Sequence, residues 1–407
     1  MLKFFNNLYY QYIPVRFQQP LKRFILAIWN VWLPIYRIEQ SGLTVIFIGN
    51  RACDPYIINL IYDEYIKPPR IGTVPIWSVD KRIMLWEESA DLIIFRHRRF
   101  WPSTAVTLRM LAMPYYVRQS TDLPPADVDM LTVFHNSSTK RDLKKIHDAG
   151  FQYDVITHVH SEQLYFFYQQ MYRPFIKDRH CFTDVILPWE DFQQSYKNME
   201  LLQVYSAGHL VAGSLTLQTD TCYTGHLHGI LDADRGLLNS GVVAALYWFA
   251  MLEAHRRGCA TVNMNCARPF LKDGVLVYKK KWGSRLVMDN RERELLLLPC
   301  GNRPQMHRYL EKNPFICEQD GRLVSLVFLG AHTVLNDKEL TSYIKYCHYQ
   351  GDSLSTCIVL LNDQWSARTE MIQALLRGLT QPNHLIDLSH RAIAELPECI
   401  RNCVGAK

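Results

Sequence analysis

The chain of 407 residues lacks the short motifs that would assign a chemistry directly. It contains no Walker phosphate loop, no Gly-x-Ser-x-Gly nucleophile elbow and no His-Glu-x-x-His zinc motif. Its 11 cysteines are scattered, and none forms a Cys-x-x-Cys pair. These absences argue against P-loop, serine-hydrolase, zincin and zinc-finger proteins, and no metal is expected. Scattered cysteines predict reduced, buried thiols, which favours a cytoplasmic protein.

Neither sign of charge is in large excess. The 45 Lys and Arg exceed the 39 Asp and Glu only slightly, which gives a net charge of +6. This excess permits an anionic ligand such as a phosphorylated cofactor but falls short of a nucleic-acid signature. Hydrophobic residues make up 48% and charged residues 21%, as is ordinary for a folded protein with a sizeable core.

The N-terminal leader contains the strongest apolar run, residues 24–36. This run is interrupted by Asn30 and Pro34 and is shorter than the roughly 20 residues of a membrane span. No small-residue cleavage site of a signal peptide follows it. Aromatic residues in the leader are flanked by Lys3, Arg16, Lys22, Arg23 and Arg37. The leader therefore either lies on a membrane surface or packs against the protein's own core.

Periodicity and breaker residues divide the chain into three blocks. Residues 1–125 contain predicted strands at 43–48, 83–85 and 92–95 and a helix at 55–66. Residues 126–316 begin with a helix capped near Asn136 and continue through strands at 151–157, 201–205, 210–218 and 222–230. Residues 317–407 alternate three strands (323–329, 356–361, 384–388) with helices, which predicts a small, separately folding α/β layer with a parallel sheet.

The unit from 222 to 265 is the most informative for chemistry. In strand 222–230, simple alternation places Thr224, His226 and His228 on one face and Tyr223 with Leu227 on the other. A long, almost wholly apolar helix then begins near Gly241, with Asn239 and Ser240 as cap candidates, and a strand follows at 260–265. Such a unit is a crossover between parallel strands, and its helix start suits a phosphate. An ordinary buried crossover helix is the alternative.

The same unit is followed by Tyr278-Lys279-Lys280-Lys281-Trp282-Gly283. This order resembles the GNAT N-acyltransferase superfamily in its Fem-like, double-domain branch. The basic stretch TKRDLKKIHDAGFQYDV is similar to that branch's connector helix. The resemblance covers residues 40–316 and implies a tandem GNAT-like fold with a mixed sheet. Residues 1–125 would be a degenerate first domain and residues 126–316 the catalytic domain, with residues 317–407 outside the resemblance.

The cofactor loop departs from the acetyl-CoA pattern. Counting from Arg235, Leu238 and Ser240 occupy the positions where that pattern has small residues. Fem-like enzymes also lack a clean version of this loop, and several of them take aminoacyl-tRNA as donor. The resemblance thus leaves acyl-CoA, an acyl carrier and aminoacyl-tRNA open as donors.

The candidate site residues fall into three groups. Donor-binding candidates are Asn239, Ser240, Gly241 and Lys279; proton-transfer candidates are His226, His228 and Asp232; acceptor-binding candidates are Arg173, Arg179 and Asn265, with His180 beside them. Each has a structural alternative. Lys279 could be a surface charge, the histidines core imidazoles, Asp232 a turn residue, Asn265 a strand cap, and the arginines solvated charges.

The predicted reaction is direct attack of an amine on an acyl group carried by acyl-CoA or an acyl carrier, without a covalent enzyme intermediate. A Cys266 nucleophile remains formally open. The acceptor is a small-molecule or peptide amine. The alternatives are an aminoacyl-tRNA-dependent transferase, with tRNA as partner, and a catalytically silent GNAT-like scaffold that binds a partner through residues 317–407.

Overall fold

The structure is a computed structural model, and it describes most of the chain from residue 32 onward. The described residues are 32–49, 54–64, 66–98, 106, 109–134, 136–179, 186–287, 293–300, 304–349, 354–379 and 383–405. The leader up to residue 31, with four of its five cations, lies outside these residues. The acceptor candidate His180 also lies outside them.

Strands β1 to β17, numbered along the chain, form two sheets. The ten-stranded sheet has the order β17-β16-β15-β14-β5-β13-β4-β2-β1-β3. Its strands are β1 Trp32–Gln40, β2 Leu43–Ile48, β3 Arg70–Pro75, β4 Leu92–Arg98, β5 Leu111–Pro114, β13 Arg293–Pro299, β14 Phe315–Gln319, β15 Arg322–Leu329, β16 Leu354–Leu360 and β17 Asn383–Asp387.

The seven-stranded sheet has the order β12-β6-β11-β10-β9-β8-β7. Its strands are β6 Val117–Asp122, β7 Gln152–Ile156, β8 Glu200–Ser206, β9 His209–Thr219, β10 Cys222–Ile230, β11 Thr261–Ala267 and β12 Arg285–Val287. Strands β7 to β10 are antiparallel neighbours, whereas β10 and β11 run parallel. The predicted mixed α/β fold is confirmed.

The helices are α1 Pro55–Tyr62, α2 Val79–Trp86, α3 Ser137–Asp148, α4 Ser161–Phe166, α5 Arg173–Arg179, α6 Trp189–Tyr196, α7 Arg235–Asn239, α8 Val242–Arg256, α9 Gly274–Lys280, α10 Pro304–Lys312, α11 Asp337–Cys347, α12 Asp363–Ser366, α13 Thr369–Arg377 and α14 Leu396–Gly405. A π-helix, Phe167–Tyr172, joins α4 to α5.

Several helix starts follow from local sequence. Asn136 caps α3 as predicted, and its side chain accepts a hydrogen bond from the Thr139 N–H at 2.7 Å. Asn336 and Glu339 form a reciprocal capping box at the start of α11. In α1, Asp54 accepts from the Tyr56 N–H at 2.9 Å, and Pro55 occupies the first helical position. Side-chain capping therefore sets these three boundaries.

The predicted strand at 83–85 is wrong, because these residues lie in helix α2. The buried residues of that helix are Val79 and Ile83, four positions apart, whereas Met84 and Leu85 are exposed. A spacing of four residues is helical, and the three-residue run Ile-Met-Leu was too short to distinguish the two structures.

The first and third sequence blocks share the ten-stranded sheet. Strand β14 pairs with β15 on one side and contacts β5 through Glu318 and Ala112 on the other. Strand β13, from the second block, lies between β5 and β4, whereas β6, from the first block, pairs in the seven-stranded sheet. The three-block division does not follow the sheet boundaries, and separate folding of residues 317–407 stays a prediction.

Helix α8 lies at the centre of the core on one face of the seven-stranded sheet. Ten of its residues are buried, among them Val242, Ala245 and Leu246, which are fully buried. The opposite face of this sheet is covered by an aromatic cluster that includes Phe167 of the π-helix and Phe192 of α6. The predicted buried crossover helix between two parallel strands is thus confirmed.

Candidate active site

The two parallel strands joined by α8 pair only at their beginnings. The register is Cys222 with Thr261, Tyr223 with Val262 and Thr224 with Asn263, and it ends there. Beyond this point each strand is irregular against its other neighbour, β10 between Gly225 and Leu227 and β11 between Asn263 and Cys266. Beyond Thr224 the backbones of β10 and β11 are therefore no longer paired with each other.

Asn265 stabilises this opening. Its backbone is left-handed, with φ of 63°, a conformation that asparagine adopts more readily than most residues. Its Nδ2 donates a hydrogen bond to the His226 carbonyl at 3.0 Å, and its Oδ1 accepts from the Cys266 N–H at 2.9 Å. Asn265, a candidate for binding the acceptor substrate, thus bridges the two strands where the regular ladder has ended.

The bulge in β10 overturns the predicted alternation of its side chains. Because His226 is the additional residue in the bulge, Leu227 and Tyr223 lie on opposite faces. Tyr223 belongs to the core cluster under α8, whereas Leu227 packs against the aromatic cluster. His228 lies on the α8 side, with its ring 4.9 Å from that of Tyr247. His226 and His228 therefore do not share one face through simple alternation.

His228 is held as a neutral imidazole. Burial, followed by the nearby charges of Lys279 and Arg179, lowers its pKa to about 3. Its Nδ1 is shut off from water and has no hydrogen-bond partner among the residues that the structure describes. Burial and the charge of Arg118 also lower the pKa of His226. Both rings are therefore uncharged at neutral pH, and each has a nitrogen lone pair that can accept a proton or a hydrogen bond.

Lys279 lies in helix α9 and not in a loop or on the surface. It is 3% exposed, and its Nζ donates to the Cys266 carbonyl at 2.8 Å. Burial lowers the pKa of its ammonium to about 8, and Cys266 and Asp273 oppose that shift. Its charge also acts on His228. The structure thus places Lys279 with the histidines, beside the end of β11.

Asn239 and Ser240 end helix α7 and do not cap α8. The Ser240 hydroxyl donates back to the Leu237 carbonyl at 2.8 Å. Gly241 makes the turn between the helices with φ of 95°, and α8 begins without a side-chain cap. The cation at this turn is Lys145 of α3, whose Nζ donates to the Asn239 carbonyl at 3.3 Å. The start of α8 keeps its N–H groups free of side-chain caps and has a lysine beside it.

The remaining candidates differ in position. Arg173 is engaged within its own helical segment, donating to Gln169 at 2.6 Å. Arg179 is exposed at the end of α5, and its charge lowers the pKa of His228 and opposes the rise in the pKa of Tyr247. Asp232 is exposed in a tight turn, with φ of 51°. Arg179 is therefore near the histidine group, whereas no hydrogen bond or ion pair within the described part of the chain ties Arg173 or Asp232 to it.

A polar cluster missed by the sequence analysis positions α9. Asp273 caps α9 by accepting from the Leu276 N–H at 2.9 Å, and its other oxygen accepts from the Tyr56 hydroxyl at 2.8 Å. Arg268 pairs with Asp54 at 2.8 Å and stacks over Tyr115 at 4.7 Å. Helix α1 of the ten-stranded sheet thereby holds the helix that carries Lys279. The Asp-Gly step at 273–274 was the available sequence signal, but its partner Tyr56 lies 217 residues away.

Comparisons with known proteins give similarity at the level of structure only. Neither a protein-family model nor a curated protein sequence matches this chain. L-PGS from Bacillus licheniformis is 12% identical with a TM-score of 0.34, covering 68% of this chain and 83% of its own. FemX is 11% identical with a TM-score of 0.34, covering 64% and 83%.

A GCN5-related N-acetyltransferase from Sphaerobacter thermophilus is 13% identical with a TM-score of 0.29, covering 64% and 74%. Such scores carry no functional conclusion. The hairpin β9–β10, the crossover helix α8 and the parallel strand β11 nevertheless have the GNAT-like order that the sequence resemblance implies. Among the described residues, no helix has both the length and the apolar character needed to cross a membrane.

Proposed function

We propose that this protein is an N-acyltransferase in which an amine attacks the carbonyl of a bound acyl donor directly, so that an amide forms and the donor's thiol or hydroxyl leaves. The observation that supports this most strongly is the end of the β10–β11 ladder at Thr224 and Asn263, beside two neutral histidines and close to the start of α8. On β11 the Asn265 and Cys266 N–H groups already donate to side chains, so the oxyanion role falls to the β10 edge beyond Thr224, which no longer pairs with β11. A backbone N–H group on that edge can hydrogen-bond to an acyl carbonyl and stabilise the charge that develops on its oxygen. An acyl group is planar and fits between separated strands.

The donor's phosphate-bearing end would lie at the start of α8. Free N–H groups and about half a unit of positive charge are present at such a helix start. Lys145, beside Gly241, adds a full charge. The sequence predicts this role for Lys279 together with Asn239, Ser240 and Gly241. Because Lys279 is buried against Cys266, we assign the phosphate contact to Lys145 and the α8 N–H groups, and Lys279 to the acyl end.

The acceptor amine would approach the bulge in β10. It must lose a proton, and a group that is neutral at pH 7 can receive it. His226 fits this role better than His228, because a pKa of about 3 makes His228 a weak base. His228 would instead orient the acceptor as a hydrogen-bond acceptor, and Arg179 would contact a negative group on it. Asp232 and Arg173 are left with supporting roles at most.

A second candidate function is transfer from aminoacyl-tRNA. It is favoured by helix α3, on which Lys140, Arg141, Lys144 and Lys145 are all exposed. This basic surface leads to the same turn before α8, and phosphate backbones bind such surfaces in a salt-dependent way. The departure of Leu238 and Ser240 from the acetyl-CoA loop pattern also favours aminoacyl-tRNA as the donor. A tRNA would contact more of the basic surface of α3 than acyl-CoA or an acyl carrier would. The extent of the phosphate contact along α3 therefore distinguishes these donors.

Retention on immobilised CoA and a shift in tRNA mobility at several salt concentrations separate these donors. Lys145→Gln should weaken donor binding about tenfold, the loss of one charge-assisted contact. Lys140→Gln should weaken tRNA binding but leave CoA binding unchanged. His226→Ala should lower turnover with whichever donor is bound while donor affinity stays within about twofold. Absence of binding to either donor would favour the silent scaffold.

A further inference from the structure

Three consecutive lysines, Lys279, Lys280 and Lys281, contact three different elements of the fold. Lys279 donates to a carbonyl of β11. Lys280 donates to the Tyr346 carbonyl of α11 at 2.6 Å, and Lys281 pairs with Asp142 of α3. Successive residues of a helix point about 100° apart, so a short run at the end of α9 reaches three neighbours. Of the three lysines, only Lys279 has a role in the proposed reaction.

The third block holds Lys280 without a counter-charge. The Lys280 Nζ lies 4.2 Å from the centre of the buried Tyr349 ring and 5.7 Å from that of the Tyr346 ring. The Tyr346 carbonyl that it bonds is one of the last four of α11, at the negative end of the helix dipole. No carboxylate in the described part of the chain pairs with Lys280, and burial lowers the pKa of its ammonium to about 8. A partly buried cation thus lies between a helix end and two aromatic rings.

Stability alone does not account for a lysine at position 280. Taking an ammonium out of water has a free-energy cost, which a paired carboxylate usually offsets. Methionine has a similar length and no charge, so it would fill the space beside Tyr349 at a lower cost. Methionine cannot form the directed bond to the Tyr346 carbonyl or the cation–π contact. Because these contacts have a fixed direction, they fix the rotation of α9 about its own axis.

The rotation of α9 decides what Lys279 contacts. The Lys279 Nζ reaches the Cys266 carbonyl at 2.8 Å, and its charge acts on His228. The charged and titratable groups that act on its ammonium are Cys266 of β11 and Asp273, which caps the start of α9. Asp273 fixes the start of this helix, and Lys280 fixes its last turn from the side of the third block. The position of the Lys279 ammonium therefore depends on both ends of α9.

We infer that Lys280 is a positioning residue for Lys279 and that Tyr346 and Tyr349 of the third block hold it in place. The inference rests on the proposed function, in which Lys279 lies at the acyl end of the donor. It gives residues 317–407 a part in that site, since the end of α11 determines where the Lys279 ammonium points. Without the contact at Lys280, α9 rotates and Lys279 leaves the Cys266 carbonyl.

The test changes the groups that hold Lys280 in the full chain. Tyr349→Leu removes the aromatic ring. Tyr349→Phe is the matched control, because it keeps the ring and removes only a buried hydroxyl that has no hydrogen-bond partner among the described residues. Lys280→Met removes the charge, and Lys280→Arg retains it. The environment of Lys279 is read from the rate at which acetic anhydride labels its amine, measured by mass spectrometry at a series of pH values.

Labelling of Lys279 should follow a pKa of about 8 in the wild type and in Tyr349→Phe. In Tyr349→Leu and Lys280→Met this pKa should move toward the 10.5 of an ordinary lysine, because the ammonium is less buried. The free amine should then react roughly fivefold faster, since it is more accessible. Lys280→Arg should keep the pKa close to the wild-type value. Lys280→Met should melt at or above the wild-type temperature, because it removes a partly buried charge, whereas a purely structural lysine would leave a less stable variant.

Activity measurements separate this inference from the proposed function. Lys280→Met and Tyr349→Leu should lower kcat by roughly tenfold, while KM for the donor stays within about twofold. Lys338→Met, at the exposed start of α11, should leave both constants unchanged. A wild type without turnover would contradict the proposed function, and the labelling would still decide whether Lys280 positions Lys279. An unchanged Lys279 pKa in both Lys280→Met and Tyr349→Leu would overturn the inference, whatever the activity.

Discussion

Two parallel strand pairs with crossover helices can be compared within this chain. Strands β15 and β16 pair along their whole length, from Leu323 with Leu354 to Leu329 with Leu360. Strands β10 and β11 also run parallel, but their pairing stops after three residues. The first pair is continuous over seven residue pairs and is a structural layer. The second ends early, and beyond its end side chains bond to the His226 carbonyl, the Asn265 and Cys266 N–H groups and the Cys266 carbonyl. The neutral histidines and the buried lysine lie there. The candidate site is therefore where the ladder ends.

The largest expected effect concerns whether the continuous pair can fold by itself. A fragment beginning at Pro314 contains all of β14, whereas one beginning at Cys317 lacks the buried Phe315 and Ile316. The sequence predicts a separately folding unit that begins at residue 317, whereas the five residue pairs between β14 and β15 place its start at Pro314. From the sheet pairing we therefore expect a cooperative melt for the longer fragment and none for the shorter one. Calorimetry of both fragments checks this. Cooperative unfolding of the shorter fragment would show that β14 contributes little to this layer.

The second prediction compares the two crossover helices. Ala245→Asp places a carboxylate on the buried face of α8 and should destabilise the protein by several kcal/mol. Ala374→Asp makes the same change at an exposed position of α13, between β16 and β17, and should cost about 0.5 kcal/mol or less. Urea denaturation measures both free energies. Similar values for the two variants would mean that α8 is not buried.

The third prediction uses the pH dependence of Lys279. Its pKa is about 8 in the folded chain and 10.5 in an ordinary lysine. The unfolded chain therefore binds more protons between these values, and stability should rise with pH across that window. The rise corresponds to roughly 3 kcal/mol at about 1.4 kcal/mol per pKa unit. Lys279→Met should remove this contribution, whereas Lys338→Met, on the exposed surface of α11, should keep it.

The measurement is the free energy of unfolding of the wild type and of Lys279→Met at pH values from 8 to 10. The difference between the two proteins is followed across this range. This difference cancels the contribution of Lys280, whose pKa is also lowered to about 8. A wild-type curve parallel to that of Lys279→Met would contradict burial of the Lys279 ammonium.

The fourth prediction concerns acid. Because the pKa of His228 is lowered from 6.5 to about 3, its contribution to stability is lost as pH falls below 6.5. At pH 5 the loss relative to an ordinary histidine amounts to roughly 2 kcal/mol. His228→Gln does not titrate and should be less sensitive to acid than the wild type. His209→Gln, at an exposed position of β9, should match the wild type. Equal acid sensitivity of the His228→Gln variant and the wild type would contradict the buried imidazole.

The smallest effect is expected at the bridge between the separated strands. Asn265→Gly removes the hydrogen bond to the His226 carbonyl and should cost about 1 kcal/mol. Asn265→Ala should cost more, because alanine is strained at a φ of 63°. Asn59→Ala, on the exposed side of α1, is the control. If Asn265→Ala is as stable as Asn265→Gly, the left-handed backbone at this position is not required.

Sequence alone determined the elements whose signals are local. Strands 43–48 and 222–230, the capped start of α3 and the buried helix α8 follow from periodicity and capping within a few residues. The strand–helix alternation after residue 322 also follows, because parallel strands and crossover helices have distinct apolar patterns. Part of the candidate site could be predicted in the same way, since His226, His228 and Asn265 lie on the two strands that α8 joins.

Tertiary structure decided what depends on distant partners. Nothing near Phe315 in sequence indicates that β14 neighbours β5, since sheet order is set by contacts between separate segments. The bulge at His226 depends on register with β9, and it reversed the predicted side-chain faces. Lys279 became a buried group only through α9, which Tyr56 of helix α1 holds through Asp273. Charge, exposure and neighbours of a side chain are properties of the packed molecule, because burial and Coulomb interactions are not local in sequence.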